Sequence, residues 1–128
     1  MNNILVDSSI WIEYFKGSDR INLEFMDEIL NNNLVCTNDL ILAELIPFLK
    51  IKKQNELIDL LNYITKIPLV IDWHGIIKFQ ESNLKHGINK VGIPDLIIMQ
   101  NVINNNLKLY SLDNHFNRMR KHFHFAMI

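Results

Sequence analysis

Ile4-Leu5-Val6-Asp7-Ser8-Ser9-Ile10-Trp11-Ile12 is the stretch on which the fold turns. Ile4 to Val6 form a short apolar run that reads as a buried strand, and the run ends on a carboxylate. A helical pattern starts at once, over residues 9–16, and Gly17 closes it. Ser9 is the better-placed cap for that helix, which leaves Asp7 free. In an open α/β sheet the crevice beyond the carboxyl ends of the strands is where ligands bind. Asp7 is therefore placed for chemistry, although a plain helix cap accounts for such a residue equally well on its own.

The same alternation continues outward. Residues 20–30 carry Ile21, Phe25 and Ile29 at helical spacing, and Leu34 to Thr37 read as a second strand. Thr37 or Asn38 caps a helix bearing Leu40, Ile41, Leu42, Leu45 and Ile46, which Pro47 is expected to kink or end. Residues 54–64 form a helix, Pro68 to Ile71 a strand, and 73–86 a helix stopped by Gly87. Gly92-Ile93-Pro94 leads into a helix over 95–104, and Lys108 to Ser111 read as a strand. A short helix at 114–121 and a final strand at 123–126 complete the pattern. The triplets Asn31–Asn33 and Asn104–Asn106 fall where helices stop, as suits a residue that tolerates left-handed backbone. Strands alternating with helices imply an α/β fold with a mostly parallel sheet covered on both faces.

With 128 residues and no linker, residues 1–128 read as one domain. Hydrophobic residues at 48% and charged residues at 21% exclude a disordered chain. No apolar run approaches a membrane span, and Met1-Asn2-Asn3 lacks the basic start of a signal peptide. Cys36 is the lone cysteine, so no internal disulfide forms, which suits the cytoplasm. A net charge of −1 means that nucleic acid, if bound, is held by local patches or bound metal.

Three further acids recur. Glu44 sits inside Leu40-Ile41-Leu42-Ala43-Glu44-Leu45-Ile46, where burying an unpaired carboxylate costs several kcal/mol unless a cation neutralises it. The plain reading is a side chain at the edge of the apolar stripe with its head in water. Asp95 follows Pro94 and lies in the first turn of a wholly apolar helix, where a dipole contact alone is worth ~0.3–1 kcal/mol. Asp113 ends a strand and starts a helix, as Asp7 does, and it too has a capping explanation. Four separated acids that converge on one crevice would make a magnesium or manganese site.

Together these stretches resemble the PIN-domain ribonucleases, most closely the VapC-type toxins of toxin–antitoxin pairs. The resemblance runs through Val6-Asp7-Ser8-Ser9-Ile10-Trp11-Ile12-Glu13-Tyr14-Phe15, Leu42-Ala43-Glu44-Leu45, Gly92-Ile93-Pro94-Asp95-Leu96-Ile97-Ile98 and Leu109-Tyr110-Ser111-Leu112-Asp113-Asn114-His115-Phe116. It implies a three-layer α/β/α sandwich around a parallel sheet. It also implies a homodimer that cuts RNA, often transfer RNA, with Mg²⁺ or Mn²⁺, and that a VapB-type antitoxin inhibits. By that resemblance Asp7, Glu44, Asp95 and Asp113 match the family's acidic quartet, and Ser9 and Ser111 its neighbouring hydroxyls.

Phosphodiester hydrolysis needs an activated water and relief of charge on the phosphoryl oxygens, and metal ions supply both. Carboxylates with no convergent Cys or His set suit Mg²⁺ or Mn²⁺ better than zinc. Asp7 and Asp95 are expected to hold the main ion, Glu44 and Asp113 to complete its shell, and Ser9 and Ser111 to orient waters or acids. Arg118, Arg120 and Lys121 form the best patch for phosphate contacts, though scattered basic residues usually serve only solvation. His115 reads as a surface residue, with contact to RNA or the leaving group as the alternative, His122 and His124 as sharing one strand face, and Cys36 as a buried small hydrophobe. The run Phe48, Leu49, Ile51 and the stripe Leu57, Ile58, Leu61 exceed one small core's evident needs; core burial is the default for them, and a dimer seam or antitoxin groove the alternative. The rival reading is a PIN-fold module that binds RNA or protein without cutting. A phosphoryl-acceptor receiver lacks its paired acid here, and a haloacid-dehalogenase-type phosphatase would need an acid where Ser9 stands.

Overall fold

The computed structural model describes residues 3–128; Met1 and Asn2, and with them the reading of the first residues, lie outside that range. Among the described residues the order is β1 (Ile4–Val6), α1 (Ser8–Lys16), α2 (Leu23–Asn31), β2 (Val35–Thr37), α3 (Asp39–Ile51) and α4 (Asn55–Tyr63). It continues with β3 (Thr65–Lys66), α5 (Trp73–Lys85), α6 (Ile93–Asn104), β4 (Lys108–Tyr110), α7 (Asn114–Met119) and β5 (Ala126–Met127). The strands form one sheet in the order β3-β2-β1-β4-β5, and every pairing is parallel. The architecture is a three-layer α/β/α sandwich.

β1 is central. Leu5 pairs with Cys36 on one side and Leu109 on the other, and all three residues of the strand are buried. Such a strand has no wet face, which is why it reads as an unbroken apolar run rather than an alternation. Helix α3 packs against α1 and α4, and α6 against α5 and α7. α6 buries seven consecutive residues, Leu96 to Val102, in keeping with its apolar sequence. Cys36 is fully buried, and burial pushes its thiol up to about 12, so it is a packing residue and no nucleophile.

The chain moves from β1 outward through β2 to β3, then returns to build β4 and β5 on the other side. The strand order therefore reverses between β1 and β4, and their carboxyl ends open one crevice. Asp7 leaves β1 and Ser111 leaves β4 at that crevice; the Asp7 amide donates to the Tyr110 carbonyl at 2.9 Å and holds the two ends together.

Three local expectations fail for identifiable reasons, and at Pro47 one of two alternatives is ruled out. The third strand is Thr65–Lys66, not Pro68–Ile71. Ile67 makes the last bond to Thr37 (2.7 Å), and Pro68 has no N–H with which to extend the ladder. Side-chain amides of α6 satisfy the following backbone instead: Asn101 donates to the Pro68 carbonyl (3.1 Å), and Gln100 both accepts from the Asp72 amide and donates to its carbonyl, each at 3.0 Å. Pro47 does not end its helix, which runs on to Ile51. Ala43 and Pro47 both face solvent, so the carbonyl that Pro47 leaves unbonded is open to water, while Leu45 and Leu49 on the other face stay buried. α2 starts at Leu23, three residues later than expected, because Asn22 caps it by accepting from the Phe25 amide. The last strand is Ala126–Met127, so His122 and His124 share no strand face; His122 stacks on His86 and Phe123 packs against Phe79. The asparagine triplets behave as expected, with Asn33 and Asn106 at positive φ just beyond α2 and α6.

Candidate active site

Asp7 occupies the cap position of α1, but its side chain caps nothing. Its Oδ2 accepts from Ser111 Oγ at 2.7 Å and from Ser9 Oγ at 2.9 Å. The same two hydroxyl oxygens accept from the backbone after β4, Ser9 from the Leu112 amide (3.1 Å) and Ser111 from the Asp113 amide (3.0 Å). Ser9 is therefore not the helix cap. It ties the start of α1 to the end of β4, and the two serines fix a buried carboxylate at the crevice floor. Asp7 is uncommitted to capping, as expected, but the cause is this pair of hydroxyls and not a cap supplied by Ser9.

Asp95 lies in the first turn of α6 and Asp113 caps α7, where its Oδ1 accepts from the His115 amide at 2.8 Å. The capping and crevice readings of Asp113 are thus both true of one side chain. Asp95, Asp113 and His115 each offer a ligating atom, and these lie within 4.8 Å of one another. His115 Nδ1 stands 3.4 Å from Asp113 Oδ1 and 3.5 Å from Asp95 Oδ2. That nitrogen is buried, yet its geometry gives it no hydrogen bond. His115 is part-buried and turned toward the acids rather than standing clear on the surface. The signal is available in the sequence: a residue two places after a cap points back over the helix start, beside the capping side chain.

Electrostatics link the other two acids to this group. Burial, then the charges of Asp113 and Asp7, raise the Asp95 carboxyl above the ordinary carboxylate range, with His115 acting in the opposite direction. Partial desolvation, then Asp7 and Asp95, raise Glu44, while a hydrogen bond from Ser8 lowers it. Asp7 and Glu44 are close enough to be felt but stand outside the 4.8 Å group. Glu44 also corrects the sequence argument, because the residue is exposed and the penalty for full burial does not apply to it. The plain reading of its place on α3 is the right one, and what marks it is its neighbouring charge. Arg118, Arg120 and Lys121 are exposed at the far end of α7, away from the acids at its start.

Like charges held together without a counter-ion repel, and a buried nitrogen lies among them without a hydrogen bond. Two carboxylates and an imidazole within 4.8 Å, with a third carboxylate held alongside by two hydroxyls, fit a divalent cation. The opposite ligands of an octahedral Mg²⁺ stand about 4.2 Å apart, so the observed spread needs little closing.

No curated protein sequence matches the chain. Solved structures do. The DNA-bound VapBC complex of Salmonella typhimurium is 14% identical, with a TM-score of 0.77 over 100% of this chain and 98% of that one. VapBC2 of Rickettsia felis, bound to a DNA fragment from its promoter, is 18% identical with a TM-score of 0.75 over 98% and 96%. FitAcB of Neisseria gonorrhoeae is 17% identical with a TM-score of 0.69 over 98% and 96%. At such identities the likeness is one of fold. The PIN domain family model matches residues 4–122, from the first residue of β1 to just beyond α7, and all four acids fall inside it: the chain belongs to the PIN domain family.

Proposed function

We infer that this chain is a metal-dependent endoribonuclease of the VapC type, a toxin that hydrolyses phosphodiester bonds in RNA, transfer RNA or another structured RNA, and is inhibited by a VapB-type antitoxin. The observation that carries the reading is the meeting of Asp95, Asp113 and His115 beside the serine-clamped Asp7 at the β1–β4 crevice. A divalent ion, when bound, lowers the pKa of a water and neutralises charge on the phosphoryl oxygens. Asp7 and Asp95 would hold it, with Asp113 and Glu44 completing the shell. Ser9 and Ser111 hold the Asp7 carboxylate in place by donating to it, and fix the direction from which it is approached. Residues 1–128 would then be a single PIN domain acting as a homodimer.

The partner reading has support in a surface feature. A cleft of about 570 Å³ runs between α1, α3 and α4, lined by Ile12, Phe15, Leu45, Phe48 and Leu57. Phe48 is 63% and Ile51 78% exposed, whereas Leu61 from the stripe on α4 is fully buried and belongs to the core. Glu44 opens onto the same cleft. An amphipathic antitoxin segment laid into it would cover apolar surface and reach the acids together.

Incubating purified protein with total RNA and Mg²⁺ or Mn²⁺, and sequencing the new RNA ends, tests the enzyme reading. Cleavage is expected from the parent, and neither from Asp7→Ala nor after chelation with EDTA. RNA binding without any cut would instead favour the non-catalytic module. Substrate grip is tested separately by reversing charge at Arg118, Arg120 and Lys121. For every phosphate that the protein no longer neutralises, the slope of log affinity against log salt should flatten by roughly 0.7–0.9. An unchanged slope removes the patch from the interface.

A further inference from the structure

His115 belongs to the group that carries the reading, yet no task has been assigned to it there, and its Nδ1 is one of four buried side-chain atoms without a hydrogen bond among the described residues. Its Nδ1 is buried, forms no hydrogen bond, and sits 3.4–3.5 Å from an oxygen of each of two carboxylates. A buried polar atom without a hydrogen bond costs on the order of 1–3 kcal/mol, and here the two carboxylates stand at ion-pair distance without closing to one. The backbone holds the ring there, because the His115 amide is bonded to Asp113 Oδ1 at 2.8 Å. The imidazole is thus presented to the same point in space as the carboxylates.

We propose that His115 Nδ1 is a ligand of the divalent ion held by Asp95 and Asp113, and that it makes the centre favour Mn²⁺ over Mg²⁺. The proposal rests on the nuclease reading and goes beyond it by adding a nitrogen to an oxygen site. Mg²⁺ takes oxygen ligands and gives up its waters reluctantly, whereas imidazole favours transition ions. Mn²⁺ accepts both donor types. A centre of acids alone would discriminate less between the two ions.

The test uses the full chain, freed of metal and loaded with Mn²⁺. Electron spin-echo spectra of the bound ion should show modulation from a directly coordinated imidazole nitrogen. His115→Gln should remove it, while histidines 74, 86, 122 and 124 remain in place. In calorimetry the same variant should bind Mn²⁺ about tenfold more weakly or worse, with Mg²⁺ affinity changed by no more than about twofold. His115→Asn serves as a second variant should Gln disturb the fold. If Mn²⁺ binds but shows no nitrogen coupling, or if the coupling survives both substitutions, the assignment of His115 is overturned and the nuclease reading stands. If Mn²⁺ does not bind at all, both fall together.

Discussion

Asp95→Asn is expected to remove metal-dependent RNA cleavage, by about 10³-fold or more, while the metal-free protein melts at an unchanged or higher temperature. The two halves have one cause. Asp95 is half-buried and feels both Asp113 and Asp7, and its carboxyl is raised above the ordinary range by that burial and those charges. An ionised Asp95 therefore costs the folded state something that the unfolded chain does not bear. The folded group holds its proton to higher pH than the unfolded one, so stability falls as pH rises from the ordinary carboxylate range through the raised value, and stays lower above it. The neutral amide escapes that loss. At pH 7 any gain of the variant over the parent in melting temperature should be present in full, and it should shrink as the pH is lowered into the ordinary carboxylate range. His115 offsets part of the repulsion, which keeps the expected gain small. A variant that melts well below the metal-free parent at neutral pH would show that Asp95 is a structural acid.

Asn101→Leu is expected to cost roughly 2–4 kcal/mol, lowering the melting temperature by about 10 °C. Asn101 is buried in α6 and joins three segments distant in sequence. Its Oδ1 accepts from Asn38 Nδ2 at 3.0 Å, and its Nδ2 donates to the Pro68 carbonyl at 3.1 Å. Asn38 is itself buried and caps α3 by accepting from the Ile41 amide at 2.9 Å. Leucine has similar volume but satisfies neither partner, so one buried donor and one carbonyl are left unpaired. The loss should reach past the core, because the start of α3 sets where Glu44 stands. Guanidinium unfolding of variant and parent checks the figure, and midpoints that agree within about 0.1 M would show that the network contributes little.

How much of this is legible in the sequence depends on whether the cause is local. β1, Asp7 and α6 are readable because a buried parallel strand and a central helix each leave an unbroken apolar run. Asn38 as a cap is readable for the same reason, since capping acts over three residues. The third strand is not, because the backbone that replaces it depends on Gln100 and Asn101, some 30 residues away. Ser9 misleads as a cap because its partners, Leu112 and Ser111, meet it only in the folded sheet. Glu44 misleads as a buried acid, because apolar neighbours along a helix do not say which face looks outward. His115 is easily underrated because a lone histidine beside an acid is common on surfaces, and only the approach of Asp95 from α6 gives it a second carboxylate.

Crystals of the protein equilibrated with Mn²⁺ give the most direct trial of the proposed centre, read out in anomalous difference maps. A single strong peak within bonding distance of Asp7 and Asp95, directly or through a water, with Asp113 alongside, is the predicted result. Saturating Mn²⁺ with no peak near these carboxylates, or with the ion seated elsewhere, contradicts it.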